Sequence, residues 1–253
     1  MSHLKKYHEI IPAFYACYDA DGEISPQAVR DLTQYFIDKG VQGLYVNGSS
    51  GECIYQSVED RKIVLENVMA VAKGKLTIIA HVACNSSKES QILAAHAESL
   101  GVDAIAAIPS IYFRLPEYAI ADYWNEISAA APHTDFVIYN IPQLAGVALT
   151  PSLYREMLKN ERVVGVKNSS MPVQDIQTFA SIAGPEKIVF NGPDEQFLAG
   201  RLMGAAGGIG GTYGAMPELF LRLNHLIEEK ELERARELQY AINDIIAKLC
   251  SCH

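Results

Sequence analysis

The hydrophobic pattern of the chain alternates short runs rich in β-branched and aromatic residues with longer segments that repeat at helical spacing. Eight short runs are candidate strands, at 10–18, 41–47, 76–82, 103–108, 135–140, 163–167, 187–191 and 206–211. Strands that alternate with helices along a chain usually form βαβ units on a parallel sheet. The pattern therefore predicts an α/β fold.

Three of the helical segments begin with recognisable sequence signals. Ser25 and Thr150 each precede a proline, and Ser57 is followed three residues later by Asp60. A hydroxyl at the N-cap accepts a bond from a free backbone N–H, proline fits the first helical position, and an acid three residues on completes a capping box. We therefore expect helices to begin directly after Ser25, Ser57 and Thr150.

The number of strand–helix units favours one closed barrel. Eight units in 253 residues match a (β/α)8 TIM barrel, whereas an open doubly wound sheet usually ends at about five or six strands. We assign the catalytic barrel to residues 1–230. The segment 231–250 follows the eighth unit and has helical periodicity, so we predict one extra C-terminal helix, outside the barrel, within residues 231–253.

Composition and charge narrow the kind of partner. The chain is 49% hydrophobic and 20% charged, with a net charge of −9 and no block of lysine or arginine, so binding to nucleic acid or to an anionic membrane is not expected. We find neither a signal-peptide pattern nor an apolar run of about eighteen residues, so we expect no leader and no membrane span. A small-molecule partner is favoured.

The five cysteines are scattered along the chain, which favours free thiols in a reducing, cytoplasmic location. The terminal sequence CSCH, at 250–253, could supply metal ligands. Because no second ligand pair is present, we expect no metal site there.

A lysine ends the sixth candidate strand, in the sequence VVGVKNSS at 163–170. The apolar run before it is typical of a strand covered on both faces, where a charge is costly. The C-terminal ends of barrel strands face the active-site mouth, and a desolvated lysine can add to a ketone carbonyl as a Schiff base. Lys167 is therefore a candidate nucleophile; the alternative is a lysine that leaves the strand end and pairs with an acid or with solvent.

The ends of strands 5 and 2 add groups that suit the same chemistry. Tyr139 ends strand 5, and its phenol could move protons during imine formation or at a substrate hydroxyl, although a half-buried core tyrosine is the alternative. The sequence GSSGE, at 48–52, offers Ser49 and Ser50 with flexible backbone N–H groups. These groups suit a small carboxylate, although plain Gly-Ser turns are common.

Four motifs, GLYVNGSSGE, YNIPQLAGV, GVKNSS and FNGPDEQ, resemble those of the N-acetylneuraminate lyase and dihydrodipicolinate synthase family of pyruvate-dependent class I aldolases. The resemblance extends over nearly the whole chain, with the motifs in the family's order and spacing. It implies a carbon–carbon lyase on a TIM barrel that forms a Schiff base with pyruvate on Lys167 and uses no cofactor. It also implies a homo-oligomer, usually a tetramer built from dimers.

The resemblance implies further roles, residue by residue. It implies proton handling by Tyr139 and binding of the pyruvate carboxylate by Ser49 and Ser50, with Ser50 also among the catalytic groups. Tyr112, in PSIYFRLPE, matches a tyrosine that in the family reaches into the site of the neighbouring subunit.

One position separates the two branches of the family. The synthase branch has an arginine, which binds a second carboxylate, where this chain has Leu144, and an aliphatic side chain cannot hold a carboxylate. The lyase branch is similar to this chain at GPDE, where Asp194 and Glu195 would bind the hydroxylated tail of a sugar acid; the alternative is that these acids only stabilise the first turn of a helix. The lyase branch is favoured, with cleavage of N-acetylneuraminate to N-acetylmannosamine and pyruvate.

Three smaller positions bear on the substrate. The resemblance implies substrate contacts at Ser169, Gly192 and Gly211. Ser169 stands where a threonine is common and keeps the hydroxyl, whereas Gly211 stands where the lyase branch has a serine expected to touch the sugar. These differences leave aldol cleavage in place and the exact sugar acid open.

Alternative functions stay open from the sequence. The chain could be a dihydrodipicolinate synthase or act on another 2-keto-3-deoxy sugar acid. The stretch AAGGIGGTYG, at 205–214, could be the phosphate site of a phosphosugar enzyme, although it contains no basic residue. The barrel could also bind ligands without turnover. The family usually continues beyond Cys252 as further helices, so either this sequence is shortened or the protein lacks those helices.

Overall fold

The computed structural model describes residues 3–252, and eight parallel strands form its centre. They are β1 (Ile10–Pro12), β2 (Gly43–Val46), β3 (Thr77–His81), β4 (Ala104–Ala107), β5 (Asp135–Asn140), β6 (Val163–Asn168), β7 (Ile188–Asn191) and β8 (Gly207–Gly210). The strand order is β1-β8-β7-β6-β5-β4-β3-β2, and an isolated parallel bridge between Ala13 and Tyr45 joins the two ends. The sheet is therefore a nearly closed barrel, and the predicted TIM barrel is confirmed.

Helices connect the strands around the outside of the barrel. They are α1 (Pro26–Asp38), α2 (Val58–Ala72), α3 (Ser87–Leu100), α4 (Glu117–Ala129), α5 (Pro142–Ala145), α6 (Pro151–Met157), α7 (Gln174–Ala183), α8 (Phe197–Leu202), α9 (Pro217–Glu228) and α10 (Leu232–Cys250). The three predicted helix starts are confirmed. Ser25 and Thr150 accept N-cap bonds, and Ser57 with Asp60 forms a complete capping box.

The first strand is shorter than predicted. The sequence predicts a strand over 10–18, but β1 ends at Pro12. Its partner β8 has only four residues. After β1 the chain leaves the sheet, and Tyr18 then forms an isolated antiparallel bridge with Ile24. Phe14 and Cys17 are still buried, so the apolar run reflects burial and not strand pairing. The other seven strands agree with prediction within two residues at each end.

The apolar residues form an inner and an outer layer. Inside the barrel lie Ile11, Tyr45, Ile79, Val137, Phe190 and Ile209, and a larger cluster fills the space between strands and helices. The C-terminal helix α10 buries Ala235, Ile242 and Ile246 against α9 and the start of α8. It therefore lies outside the barrel, as predicted, whereas the proposed division at residue 230 stays a prediction.

Candidate active site

A cavity of about 310 Å³ opens at the C-terminal ends of the strands. Most residues that the sequence singled out line it, namely Ser49, Ser50, Tyr139, Lys167, Ser169, Gly192, Glu195 and Gly211. The wall is completed by Ala13, Ile141, Gln143, Met171, Pro193 and Ile209. The fold thus brings side chains from five different strand ends to one concave site, while Asp194 and Tyr112 are not part of its lining.

Lys167 lies in the wall of the barrel with its amine between two aromatic rings. In β6 it pairs with Tyr139 of β5 and Phe190 of β7, and it is 4% exposed. Its Nζ lies 3.9 Å from the ring centroid of Tyr139 and 4.2 Å from that of Tyr45. None of the salt bridges among residues 3–252 involves Lys167. The alternative of a lysine that reaches solvent or an acid is therefore wrong.

The Tyr139 hydroxyl faces the serine pair. It lies 3.5 Å from Oγ of Ser49, which begins the 3₁₀ turn Ser49–Gly51 directly after β2. Gly48 precedes this turn, and a Cβ there would lie 2.6 Å from Cε1 of Tyr45. The glycine therefore lets the backbone pass closely over the Tyr45 ring, which keeps the serine hydroxyls near the phenol.

The turns after β2 and β8 meet at the mouth of the barrel. A Cβ added to Gly211 would lie 3.1 Å from Oγ of Ser50, and the Tyr15 hydroxyl donates a 2.7 Å hydrogen bond to the Gly211 carbonyl. The glycine leaves this part of the wall without the hydroxyl that a serine would supply.

Asp194 and Glu195 are neighbours with different surroundings. Asp194 is buried, and its Oδ2 accepts hydrogen bonds of 2.6 Å from both the backbone N–H and the hydroxyl of Thr212. Burial raises the pKa of the Asp194 carboxyl to about 6, against the lowering effect of the Thr212 bonds. Glu195 instead lines the cavity. Asp194 thus ties the turn after β7 to the turn after β8, and its contact with a sugar stays a prediction.

Tyr112 points away from the cavity of its own chain. It follows β4, has a left-handed φ of +83°, and is 89% exposed beside Phe113, whose ring it meets edge to face at 4.9 Å. A large exposed aromatic side chain on a strained backbone suits a contact outside this chain. Its predicted role in a neighbouring subunit's site stays a prediction.

Sequence reasoning missed two residues behind the tyrosine, Tyr45 and His81. The His81 ring stands edge to face with Tyr139 at 6.0 Å; its Nδ1 donates to the Asn47 carbonyl at 3.0 Å and its Nε2 accepts from Ile108 N–H at 3.4 Å. Burial, together with Arg61, lowers the pKa of His81 well below its usual value, so the ring is neutral. A histidine ending an apolar strand was a usable signal, because the strand period turns it inward.

The guanidinium of Arg61, on α2, was also missed. It is 2% exposed and donates Nη1 to the Ala83 carbonyl at 2.8 Å and Nη2 to the His81 carbonyl at 2.6 Å. The backbone carbonyl of Arg61 accepts a 2.8 Å hydrogen bond from the side-chain amide of Asn47. Arg61 therefore fixes the ends of β2 and β3 that hold the aromatic wall. Its position on a helix gave no sequence signal for this role.

No group of three or more histidine, cysteine or acidic side chains within residues 3–252 could hold a metal ion. Of the terminal candidates, Cys250 and Cys252 are exposed, and His253 lies outside the described residues. All five cysteines are free thiols. No helix in the described part of the chain is long and apolar enough to cross a membrane.

Comparison with known proteins identifies relatives over the whole chain. N-acetylneuraminate lyase of Mediterraneibacter gnavus is 72% identical over 253 residues, which are 100% of this chain and 80% of that protein. The N-acetylneuraminate lyase of Escherichia coli is 35% identical over 237 residues, covering 94% of this chain and 80% of that protein. Each of these two relatives thus aligns with nearly the whole of this chain.

Solved structures of related proteins also superpose on this chain. The wild-type sialic acid aldolase of Ruminococcus gnavus superposes with a TM-score of 0.97 at 72% identity, covering 98% of this chain and 82% of that chain. The structure of CdNal from Clostridium difficile in complex with mannosamine superposes with a TM-score of 0.93 at 29% identity, over 96% of this chain and 83% of that chain. The model of the dihydrodipicolinate synthetase family matches residues 6–252. The chain belongs to the dihydrodipicolinate synthetase family.

Proposed function

We propose that the protein is a Schiff-base-forming lyase that cleaves N-acetylneuraminate to N-acetylmannosamine and pyruvate. The single observation that supports this most directly is the buried Lys167 amine, which lies 3.9 Å from the Tyr139 ring in a cavity lined by the serine pair and Glu195. The family membership and the names of the relatives at 72% and 35% identity agree with the proposal. Leu144, which is 64% exposed, offers no charge for a second carboxylate.

The proposed reaction begins at the ketone of the open-chain sugar acid. The Lys167 amine adds to C2, and loss of water from the carbinolamine gives a protonated imine, which can accept an electron pair. Tyr139 helps to remove the proton of the C4 hydroxyl. The C3–C4 bond then breaks, its electrons form an enamine, and N-acetylmannosamine leaves as the aldehyde. Protonation of the enamine at C3 and hydrolysis of the imine release pyruvate and regenerate the amine.

The two halves of the cavity suit the two halves of the substrate. Ser49 and Ser50 offer hydroxyls and backbone N–H groups to the pyruvate carboxylate. The Glu195 carboxylate can accept hydrogen bonds from several hydroxyls of the sugar tail, and such charge-assisted bonds are strong. We assign Ser169, Gly192 and Gly211 to the wall between these two ends. The imine supplies the electron sink, so this chemistry requires no metal or organic cofactor.

A second substrate is favoured by one observation, the glycine at position 211. Because a Cβ there would lie 3.1 Å from Ser50 Oγ, the missing side chain enlarges the cavity and removes one hydroxyl. A different 2-keto-3-deoxy sugar acid would use the same imine chemistry. Pyruvate release measured with N-acetylneuraminate and with a panel of such acids separates the two candidates by their kcat/KM values.

We also propose that the protein works as a homo-oligomer, a tetramer built from dimers, in the cytoplasm. The exposed Tyr112 and Phe113 support a contact between copies, and Tyr112 would then complete the site of the neighbouring copy. The five free cysteines support a reducing compartment.

The test is chemical trapping with pyruvate and borohydride. We expect intact mass to show one pyruvate-derived adduct, and peptide mapping to find it on Lys167. The Lys167→Met variant should give no adduct, whereas Lys75→Met, which removes an exposed lysine, should react like the wild type. An unchanged mass for the wild-type protein would contradict the proposed mechanism.

A further inference from the structure

The C-terminal helix α10 contacts the turn that holds the two acids of the cavity. Gln239, which is 5% exposed, accepts a 3.0 Å hydrogen bond from Leu198 N–H through Oε1 and donates a 3.2 Å bond from Nε2 to the Asp194 carbonyl. One helical turn later, Asn243 Nδ2 donates a 3.1 Å bond to the Glu195 carbonyl. The two amides also bond to each other at 2.8 Å. Successive carbonyls of one turn are therefore held from the same helix.

The turn itself is short. It is the three-residue 3₁₀ segment Asp194–Gln196, closed by backbone bonds from Gln196 N–H to the Pro193 carbonyl and from Phe197 N–H to the Asp194 carbonyl, and such short segments have poor hydrogen-bond geometry. On its other side, Oδ2 of Asp194 accepts the two bonds from Thr212. The turn is thus held between α10 and the end of β8, and Glu195 of this turn lines the cavity that contains Lys167.

We propose that Gln239 and Asn243 are positioning residues that fix the Glu195 carboxylate for the hydroxylated tail of the substrate. The inference rests on the proposed function, but it concerns binding of the sugar and not imine formation at Lys167. A carboxylate binds a polyol well only if its direction is fixed before the ligand arrives, because ordering it on binding costs free energy. The helix outside the barrel is then part of the specificity of the site inside it.

Asn243→Ala is the informative variant, because Asn243 is half-exposed and its loss leaves the Gln239 bonds to the turn in place. Loss of one or two hydrogen bonds that orient the turn should raise KM for N-acetylneuraminate roughly three- to tenfold. The rate of the borohydride-trapped pyruvate adduct should stay at the wild-type value. Gln239→Met should act in the same direction and more strongly, and Asp244→Ala, at the exposed next position on α10, is the matched control.

A merely structural role would lower the melting temperature and the adduct rate together, and that result would overturn the proposal. So would a folded Asn243→Ala protein with a wild-type KM. Binding of N-acetylneuraminate by calorimetry in the Lys167→Met background gives an independent readout, in which Asn243→Ala should raise Kd by a similar factor. Failure of the proposed function is distinguishable, because it would appear in the wild type itself as absence of the pyruvate adduct.

Discussion

At the residue scale, two tyrosines contact the same amine but differ in their hydroxyls. The rings of Tyr139 and Tyr45 both lie within about 4 Å of Lys167 Nζ. The Tyr139 hydroxyl faces Ser49 across 3.5 Å, whereas the Tyr45 hydroxyl is buried and has no hydrogen-bond partner among residues 3–252. Comparing Tyr139 with Tyr45 therefore separates what the face of an aromatic ring contributes beside the Lys167 amine from what a phenol hydroxyl contributes.

Tyr139→Phe keeps the ring contact and removes the proton carrier. We expect kcat to fall about 10²- to 10⁴-fold, the usual contribution of a positioned acid or base, while the pyruvate adduct still forms on Lys167. Tyr45→Phe removes a hydroxyl that makes no bond, so kcat should stay within about threefold of the wild type. Steady-state kinetics of pyruvate release measure both variants, and equal losses would contradict the role assigned to Tyr139.

Asp194 gives a prediction on pH and stability. Its pKa of about 6 in the folded protein exceeds the ordinary value of 3.8 because the carboxyl is buried. Between these pH values the folded state holds a proton that the unfolded state has released. The stabilisation that the Asp194 carboxyl gives the folded state is therefore fully present below about pH 4 and is lost as the pH rises to about 6. Its upper limit is about 3 kcal/mol. Asp194→Asn should lack this decline.

Urea unfolding of the wild type and of Asp194→Asn, measured from about pH 4 to about pH 7, tests this prediction. The difference in free energy of unfolding should change in favour of the variant as pH rises through the window. The amide oxygen can still accept the Thr212 bonds, so the variant keeps the link between the two turns. Parallel stability curves would show that Asp194 titrates at its ordinary value.

At the element scale, the position of Lys167 depends on how β6 lies against β7. The register between β5 and β6 shifts at Phe136 and Val137, and after this irregularity Gly165 pairs with Ile188. A Cβ on Gly165 would lie 1.9 Å from the Ile188 carbonyl oxygen, which is backbone and cannot rotate away. The glycine is thus required for the close approach of two strands, two residues before the lysine.

Gly165→Ala should therefore destabilise the protein by about 3 kcal/mol or more, at the upper end of overpacking costs, and should lower kcat by displacing Lys167. Gly22→Ala is the matched control, because Gly22 has a φ of +84° and open space around its missing Cβ, so only backbone strain of about 1 kcal/mol applies. Thermal unfolding and pyruvate release measure both effects. Equal destabilisation by the two variants would rule out the strand contact as the cause.

The elements that could be predicted from sequence are those determined by local chemistry. Helix starts at Ser25, Ser57 and Thr150 depend on side chains that bond within one turn, so their sequence signals were sufficient. The end of β1 depends on the length of β8, which lies almost 200 residues away in the chain, and the apolar run gave no sign of it. The positions of Lys167 and Tyr139 at strand ends could likewise be read from the sequence, and so could that of His81, whereas Tyr45 and Arg61 needed the packed barrel.

At the scale of the whole molecule, an apolar surface lies beside the mouth of the barrel. We define it by Ile54, Tyr112 and Phe113, which are 61% to 89% exposed. Ile54 and Ile111 line one shallow cavity there, and Ile111 also lines a second one with Tyr112 and Phe113, so the turns after β2 and β4 form one surface. Exposed aromatic groups of this size are unusual on a monomer, and we expect a second copy of the chain to cover them.

Phe113→Asp tests this assembly, because a carboxylate buried in an apolar contact without a partner is strongly unfavourable. Size-exclusion chromatography with light scattering should show a smaller assembly for Phe113→Asp and wild-type mass for Tyr240→Asp, which adds the same charge at a 62% exposed position on α10. If Tyr112 completes the neighbour's site, the dissociated variant should lose pyruvate release although its own cavity is intact. A Phe113→Asp protein that keeps the wild-type mass would place the contact between copies elsewhere, and a fully active monomer would remove Tyr112 from the site.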